Sequence, residues 1–297
     1  ALGTLAGLAV SLDLGTVSGQ DKKIMTRKIP STGEEVPAIG LGTWQVFDAG
    51  NDPAARAPLH AVLAAFSESG GKMIDSSPMY GSAESVAGDL VAELGLRDKL
   101  FIATKVWTGG REDGIRQMET SFRRLRVKQM DLMQIHNLQD AGVHTKTLLD
   151  WKAKNRIRYL GITHYTSSAY AEVEKWLKAE KYDFLQINYS LAERESEKRL
   201  LEICKNNGVA VIANRPFAEG AMFRRVRGKP LPPWAGEIGV ASWAQFFLKW
   251  IVGHPAVTCV IPGTGKPEHI ADNVAAGFGA LPDAAMRRRM AEYYGAL

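Results

Sequence analysis

Four polar side chains in this sequence could together control the protonation of a carbonyl oxygen: Asp75, Tyr80, Lys105 and His136. A tyrosine is a poor acid near neutral pH, because its unperturbed pKa is about 10. A lysine ammonium beside the phenol favours the phenolate, and a carboxylate keeps that ammonium charged and in place. A neighbouring histidine can hydrogen-bond the oxygen that receives the proton. The set predicts a site that protonates a carbonyl oxygen while a hydride reaches its carbon, or that runs the reverse reaction.

Three of these residues also have an ordinary structural explanation when each is considered alone. Lys105 could be a solvent-facing lysine, His136 a structural histidine and Asp75 the cap of the turn that follows it. The catalytic interpretation is favoured because each of the three stands at the end of an apolar run of strand length.

The turn after Asp75 brings the predicted proton donor close to the carboxylate. An apolar run ends at Asp75, a few turn-forming residues follow, and Tyr80 closes the loop before a glycine. We expect Ser76, Ser77 and Pro78 only to shape this turn.

Eight apolar runs alternate with helical segments, and a predicted β-hairpin precedes them. The hairpin covers residues 24–39, with its turn at 31–34. The runs lie at residues 39–44, 73–75, 100–105, 131–136, 159–164, 184–189, 209–214 and 257–262. Amphipathic helices lie between them, one with Ile115, Met118, Phe122 and Leu125 on a single face, and another with Val86, Leu90 and Leu94. Residues 241–252 are apolar nearly all round and predict a well-buried helix.

Continuous apolar strands that alternate with helices indicate a parallel sheet covered by helices. Eight such units in about 250 residues favour a closed (β/α)₈ TIM barrel over an open, doubly wound sheet. The hairpin would then close the N-terminal end of the barrel. No linker divides the chain, so residues 24–297 are predicted to form one domain, with the polar residues at the C-terminal strand ends meeting at one rim.

The composition excludes several other classes of protein. The chain has 297 residues and a net charge of +5, and its basic residues are spread along helices rather than interleaved with aromatic residues. Nucleic acid is therefore not an expected partner. The two cysteines and six histidines show neither CxxC nor HExxH spacing, so no metal site is expected.

Residues 1–23 are expected to lie outside the fold. Residues 1–14 form a weakly apolar run rich in Gly, Ala and Leu, too short and interrupted to span a membrane. The run resembles the apolar part of an export signal of the twin-arginine type, which would place the protein in the periplasm. The alternative is a disordered leader on a cytoplasmic protein.

The motifs of the chain resemble those of the aldo/keto reductase superfamily from about Met25 to Asn273. The matching stretches are 40–44, 75–81, 104–107, 131–136, 161–164, 186–189 and 261–273. The resemblance implies that Tyr80 is the general acid/base, that Lys105 and Asp75 tune it, and that His136 orients the carbonyl group.

The resemblance also implies a nicotinamide cofactor bound on the barrel rim without a Rossmann domain. The sequence agrees, because Gly40-Leu41-Gly42 lacks the third glycine of the dinucleotide-binding fingerprint. By resemblance Gln186 holds the nicotinamide carboxamide, and Thr163 and His164 replace the usual Ser-Asn partners. Asn214 and Arg215 stand where a stacking tyrosine is common.

The segment after the last strand resembles the part of the family that holds the adenosine phosphates. The implied phosphate contacts are Gly263, Thr264, Lys266 and His269, and Asp272 and Asn273 match residues that hold the adenine. Many relatives have a lysine in place of Gly263 and an arginine in place of His269, and Lys266 can substitute for them in part. Backbone N–H groups at the start of the following helix add to a phosphate site. NADP is therefore favoured as the cofactor over NAD.

On the substrate side, Trp44 and Trp107 stand where relatives line the pocket with aromatic residues. The insert at 217–237 predicts a lid-like loop, and the short tail, with an amphipathic segment near residues 286–294, leaves no long specificity loop. We therefore expect an open pocket for small carbonyl compounds. Two alternatives stay open: a cofactor-binding regulatory subunit resembling potassium-channel β subunits, and an exported redox protein with a partner enzyme. The sequence does not predict the oligomeric state.

Overall fold

The first described element of the protein is an antiparallel hairpin. The structure is a computed structural model, and it describes residues 23–297. Strand β1 (Thr26–Lys28) pairs with β2 (Glu35–Pro37), with Thr26 opposite Pro37. The turn needs a glycine, because Gly33 has a φ of +78° and its N–H donates to the Ile29 carbonyl at 2.8 Å. The predicted hairpin is present.

Eight parallel strands form a nearly closed barrel in chain order. They are β3 (Leu41–Gly42), β4 (Met73–Asp75), β5 (Phe101–Val106), β6 (Met130–Ile135), β7 (Ile157–His164), β8 (Phe184–Asn188), β9 (Ala210–Asn214) and β10 (Val257–Val260). Parallel bridges from Ile39 to Val260 and from Gly42 to Gly263 join the first strand to the last. The predicted (β/α)₈ barrel is confirmed, with all eight apolar runs at its strands.

The helices cover the outside of this sheet. They are α1 (Pro53–Glu68), α2 (Ala83–Glu93), α3 (Arg111–Arg124), α4 (Ala141–Ala153), α5 (Tyr170–Ala179), α6 (Leu200–Asn207), α7 (Ala221–Arg225), α8 (Trp243–Val252), α9 (Pro267–Ala275) and α10 (Ala284–Ala296). At three of these helices a side chain at the start accepts a backbone N–H group: Asp52 at α1, Ser242 at α8 and Asp283 at α10. Nine of the ten residues of α8 are buried, as its apolar composition predicts.

The N-terminal part of the barrel interior is filled by apolar side chains that the hairpin covers. Ile29 and Val36 of the hairpin pack with barrel residues such as Phe101, Tyr159 and Phe184. The Tyr159 hydroxyl donates to the Glu34 carboxylate at 2.6 Å and lies 2.7 Å from the Thr32 hydroxyl. The hairpin therefore closes the N-terminal end, and the opposite rim is left for chemistry.

The segment predicted as a lid-like loop is more ordered than expected. It contains α7 and a 3₁₀ turn at Pro233–Ile238. Met222 is fully buried, and the rings of Phe217 and Phe223 pack on each other and on Phe247 of α8. Sequence reasoning missed this helix because its anchoring partner lies in a later element.

The predicted leader lies outside the described residues, apart from Lys23 at its end. Within residues 23–297 no helix combines the length and the apolar character needed to cross a membrane. The same part of the chain contains no group of three or more His, Cys, Asp or Glu side chains that could hold a metal ion.

Candidate active site

Asp75 and Lys105 form a buried ion pair at the C-terminal rim of the barrel. Asp75 is the last residue of β4 and Lys105 lies near the end of β5, so the parallel pairing of these strands brings them together. Lys105 Nζ donates to Asp75 Oδ2 at 2.6 Å and to the Ser76 carbonyl at 2.7 Å. Burial disfavours the charged ammonium, but Asp75 and Tyr80 outweigh it and raise the pKa of Lys105. The ammonium therefore stays charged.

Two buried amides hold the other oxygen of the same carboxylate. Gln134 Nε2 donates to Asp75 Oδ1 at 3.0 Å, and Gln186 Nε2 donates to it at 2.8 Å. A carboxylate only accepts hydrogen bonds, so both glutamines must present their nitrogen to it. The predicted cofactor residue Gln186 thus keeps its carbonyl oxygen and its second amide N–H for another partner. Sequence reasoning missed Gln134, although it is two residues before His136 and so on the same face of the strand.

Tyr80 lies in the loop between β4 and α2, where it faces the ion pair. Lys105 Nζ is 5.0 Å from the centroid of its ring. Burial raises the pKa of Tyr80, the Lys105 charge opposes this, and the Asp75 charge adds to the increase. The net pKa is raised, although the charge of Lys105 alone would lower it. Tyr80 is therefore a protonated phenol at neutral pH.

His136 directly follows β6 and completes the predicted set. Its ring meets that of Tyr80 edge to face, with centroids 6.0 Å apart and an interplanar angle of 88°. Burial, followed by the charges of Lys105 and His164, lowers the pKa of His136 to about 3. The imidazole is therefore neutral at physiological pH, which suits a hydrogen bond to a carbonyl oxygen rather than a charge contact.

Ser77 has a partner that the sequence did not reveal. Its Oγ lies 3.0 Å from His136 Nδ1, and both side chains are buried. Ser76 also does more than shape the turn, because its carbonyl accepts from Lys105 and its Oγ accepts from Thr43 Oγ1 at 3.0 Å. The expectation that these serines only shape the turn was too narrow. Their partners lie on β5, after β6 and after β3, at distances along the chain that turn statistics do not address.

A cavity of about 730 Å³ opens above these residues. Its wall includes Asp75, Tyr80 and His136, together with Trp44 and Trp107, the two predicted pocket residues. Both tryptophans are about two-fifths exposed, at 41% and 42%. Met79, Tyr165 and Phe223 also line it and were missed by sequence reasoning, because they lie in loops and a short helix. The cavity therefore has a polar floor and a largely apolar wall.

Four of the five predicted nicotinamide contacts line this cavity, and two of the four have unsatisfied polar atoms. Thr163, Gln186, Asn214 and Arg215 line the wall. Asn214 Oδ1 and Arg215 Nε are buried and have no hydrogen-bond partner among residues 23–297. Buried polar atoms are normally paired, so these two fit a polar ligand group.

Arg215 follows Asn214, the residue that stands where a stacking tyrosine is common in relatives. Its backbone has a φ of +50°, and its guanidinium lies 5.7 Å from the centroid of Tyr165. Its Nη2 forms an ion pair with Glu219 at 3.0 Å. Tyr165 also lies against His164, with ring centroids 6.0 Å apart, and His164 Nδ1 accepts the Thr166 N–H at 3.1 Å. His164 is absent from the cavity wall described above.

The residues predicted to hold the phosphate and the adenine lie at the turn from β10 into α9 and on α9 itself. Gly263 lines the cavity, and Thr264 Oγ1 accepts the Lys266 N–H at 3.1 Å. Lys266 and His269 are exposed at the N-terminal end of α9, while Asn273 is buried. Asp272 points to α8 instead, because it accepts from Ser242 Oγ at 2.7 Å and from Gln245 Nε2 at 2.6 Å.

Comparisons with known proteins agree with this geometry. The model of the aldo/keto reductase family matches residues 38–291. The methylglyoxal reductase YeaE of Escherichia coli is 30% identical over 81% of this chain and 85% of its own length, and the glyoxal reductase of Bacillus subtilis is 29% identical over 81% and 83%. The crystal structure of an aldo-keto reductase from Klebsiella pneumoniae in complex with NADPH superposes with a TM-score of 0.75, at 28% identity, over 92% of this chain and 95% of that one.

Proposed function

The chain belongs to the aldo/keto reductase family and is an NAD(P)H-dependent carbonyl reductase. From this we propose that Tyr80 is the proton donor of the enzyme, and that the enzyme reduces small aldehydes and ketones. The observation that carries this proposal is the convergence of Tyr80, the Lys105–Asp75 ion pair and neutral His136 on one cavity. Each group has the protonation state that the chemistry requires at neutral pH.

The chain's own residues supply the proton and orient the carbonyl group. When bound, the nicotinamide supplies the hydride to the carbonyl carbon. Tyr80 donates its hydroxyl proton to the carbonyl oxygen, and the ammonium of Lys105 stabilises the phenolate that results. Asp75 keeps that ammonium charged, and His136 hydrogen-bonds the oxygen. The oxygen is thus held by two groups before the proton moves.

The residues present fit a nicotinamide dinucleotide along the rim. Gln186 Oε1, Asn214 and Arg215 would hold the nicotinamide half, and the orphaned atoms of the last two support this. Thr264 and Lys266, at the N-terminus of α9, would hold phosphate, because a helix N-terminus and an exposed ammonium both attract anions. We propose NADP as the cofactor, as in the complexes of Klebsiella enzymes with NADP and NADPH.

The substrate class follows from the cavity wall and the relatives. Trp44, Trp107, Tyr165 and Phe223 give an apolar wall that is open to solvent and provides few polar groups for recognition. Such a wall tolerates different carbonyl compounds. We propose α-oxoaldehydes such as methylglyoxal and glyoxal among the substrates, since two relatives are named as their reductases.

A coupled binding and turnover experiment tests this function. NADPH oxidation is measured with a panel of aldehydes, methylglyoxal included, for the wild type and for Tyr80→Phe. We expect Tyr80→Phe to lower kcat by roughly 10²- to 10⁴-fold while its affinity for NADPH is kept, because only the proton is lost. Binding of NADPH without turnover of any aldehyde by the wild type would instead support the regulatory-subunit alternative.

Export of the enzyme is a separate proposal that rests on the composition of residues 1–14. We propose that residues 1–23 direct the folded protein, with its cofactor, across the membrane. Fractionation of cells that express the full-length gene tests this, with a variant lacking residues 1–23 as the control. Recovery of both proteins only in the cytoplasm would contradict it.

A further inference from the structure

The hydroxyl of Ser77 contacts one of the two ring nitrogens of His136. A neutral imidazole has one N–H and one bare nitrogen, and the partner of each nitrogen selects the tautomer. Here Nδ1 lies 3.0 Å from Ser77 Oγ. Nε2 makes no hydrogen bond to any residue between 23 and 297, and the ring lines the cavity.

The hydrogen bonds of the serine hydroxyl distinguish the two possibilities. Ser77 is fully buried, and its Oγ already accepts the Met79 N–H at 3.4 Å. If the hydroxyl donates to Nδ1, the buried hydroxyl hydrogen has an acceptor, and the N–H of the histidine is on Nε2, on the ring that lines the cavity. If instead Nδ1–H donates to Oγ, the hydroxyl hydrogen needs another acceptor, and residues 23–297 provide none. An unsatisfied buried donor disfavours that arrangement by roughly 5- to 150-fold.

We infer that Ser77 is a positioning residue that fixes His136 in the Nε2–H tautomer and so directs an N–H donor into the cavity. The serine acts through the histidine and does not itself line the cavity. With Nε2–H as a donor, the carbonyl oxygen meets two donors, His136 and the hydroxyl of Tyr80. With the other tautomer, a bare nitrogen would face that oxygen and repel it.

The role of Ser77 in catalysis rests on the proposed roles of Tyr80 and His136, whereas the tautomer can be measured independently. In protein labelled with ¹⁵N-histidine, long-range ¹H–¹⁵N spectra distinguish a protonated from a bare ring nitrogen. The chain has six histidines, and the His136→Gln variant identifies the signals of His136. We expect the wild type to show Nε2–H, and Ser77→Ala to show a mixture of tautomers or a change to Nδ1–H.

Ser76→Ala is the matched control, because Ser76 is equally buried and its hydroxyl contacts Thr43 rather than the histidine. It removes the same group from the neighbouring position and should leave the tautomer of His136 as in the wild type. Ser77→Thr keeps the hydroxyl and should restore the Nε2–H form. A general loss of packing would affect the thermal stability of both alanine variants without selecting one ring nitrogen.

Kinetics give the second readout. Ser77→Ala should lower kcat by roughly 3- to 10-fold, the effect of one hydrogen bond, and leave the Kd of NADPH within twofold. A wild-type spectrum with Nδ1–H overturns the inference, and so does a Ser77→Ala variant that keeps both the wild-type spectrum and kcat. If Ser77→Ala changes the tautomer but Tyr80→Phe keeps full activity, the tautomer assignment stands and the proposed proton donor is wrong.

Discussion

Replacing Lys105 with methionine tests the electrostatic core of the proposed mechanism. The change removes the ammonium and keeps most of the volume of a fully buried side chain. The nitrogen lies 5.0 Å from the centroid of the Tyr80 ring. At an effective dielectric constant of about 20, opposite charges at that separation attract by ~3 kcal/mol. Loss of this attraction for the phenolate should lower kcat by roughly 10²-fold.

The same change should also destabilise the fold. Asp75 would remain 2% exposed without its cation, and removal of one partner from a buried ion pair costs about 3–5 kcal/mol. Activity is therefore expressed per folded molecule, with the folded fraction taken from denaturant unfolding. The double variant Asp75→Asn/Lys105→Met also removes the unpaired negative charge of Asp75. It should recover part of the stability but none of the activity.

Lys249 provides a matched control for this experiment. It is the other fully buried lysine among the described residues, and its Nζ donates to the carbonyls of Ile238 at 2.6 Å and Ala280 at 3.0 Å. Lys249→Met should cost stability, because the buried Ile238 carbonyl and the Ala280 carbonyl lose their donor, yet it should keep kcat. If Lys105→Met retains kcat within threefold of the wild type, the ammonium does not stabilise the phenolate and the electrostatic argument is wrong.

Three further predictions concern the cofactor, the pH dependence and the closure of the barrel. Arg215→Met should weaken NADPH binding by roughly 10-fold, measured by fluorescence titration, since it removes a charged donor from the cavity wall. The unfolded chain binds more protons than the folded one between pH 6.5 and 3, because the folded pKa of His136 is lowered to about 3, so stability falls with falling pH. Between pH 7.5 and pH 5 the free energy of unfolding should fall by ~2 kcal/mol because of His136, and this part of the decrease should be absent in His136→Gln. An equal decrease in the variant would contradict the assignment. Gly42→Ala should lower the free energy of unfolding by about 1–3 kcal/mol in the same assay, because a Cβ at residue 42 would lie 2.9 Å from the Ile261 carbonyl oxygen. Gly109→Ala is the control: a Cβ at residue 109 would have no atom within 4 Å, so the free energy of unfolding should fall by less than about 1 kcal/mol.

The barrel was predictable because its strands are buried on both faces. Runs such as 101–106 and 130–135 are apolar at four of six positions, and every residue in them is buried. A strand with one face in water alternates apolar and polar residues. These runs do not alternate in this way, which indicates strands that are covered on both faces. Their eightfold alternation with helices then left few other topologies. The rim residues Asp75, Lys105 and His136 followed from the same argument, because each stands at the end of such a run.

The rest depended on contacts between residues far apart in the chain. Asp272 was expected at the adenine, but Ser242 and Gln245, about thirty residues earlier, bind its carboxylate. Gln186 donates to Asp75 across 111 positions. Short polar residues in turns adopt similar backbone conformations whatever they bind, so local composition does not distinguish a turn former from a side chain with a distant partner.

Asp75 determines which of two neighbouring groups keeps its proton. Burial by itself would lower the pKa of Lys105, and a neutral amine beside Tyr80 could not stabilise a phenolate. The charge of Asp75 reverses this, and the two glutamine amides hold its second oxygen in place. Burial meanwhile raises the pKa of Tyr80, so the site rests as an ammonium beside a protonated phenol. The proton that leaves during reduction is then that of Tyr80, because loss of the Lys105 proton would leave the buried Asp75 carboxylate without a cationic partner.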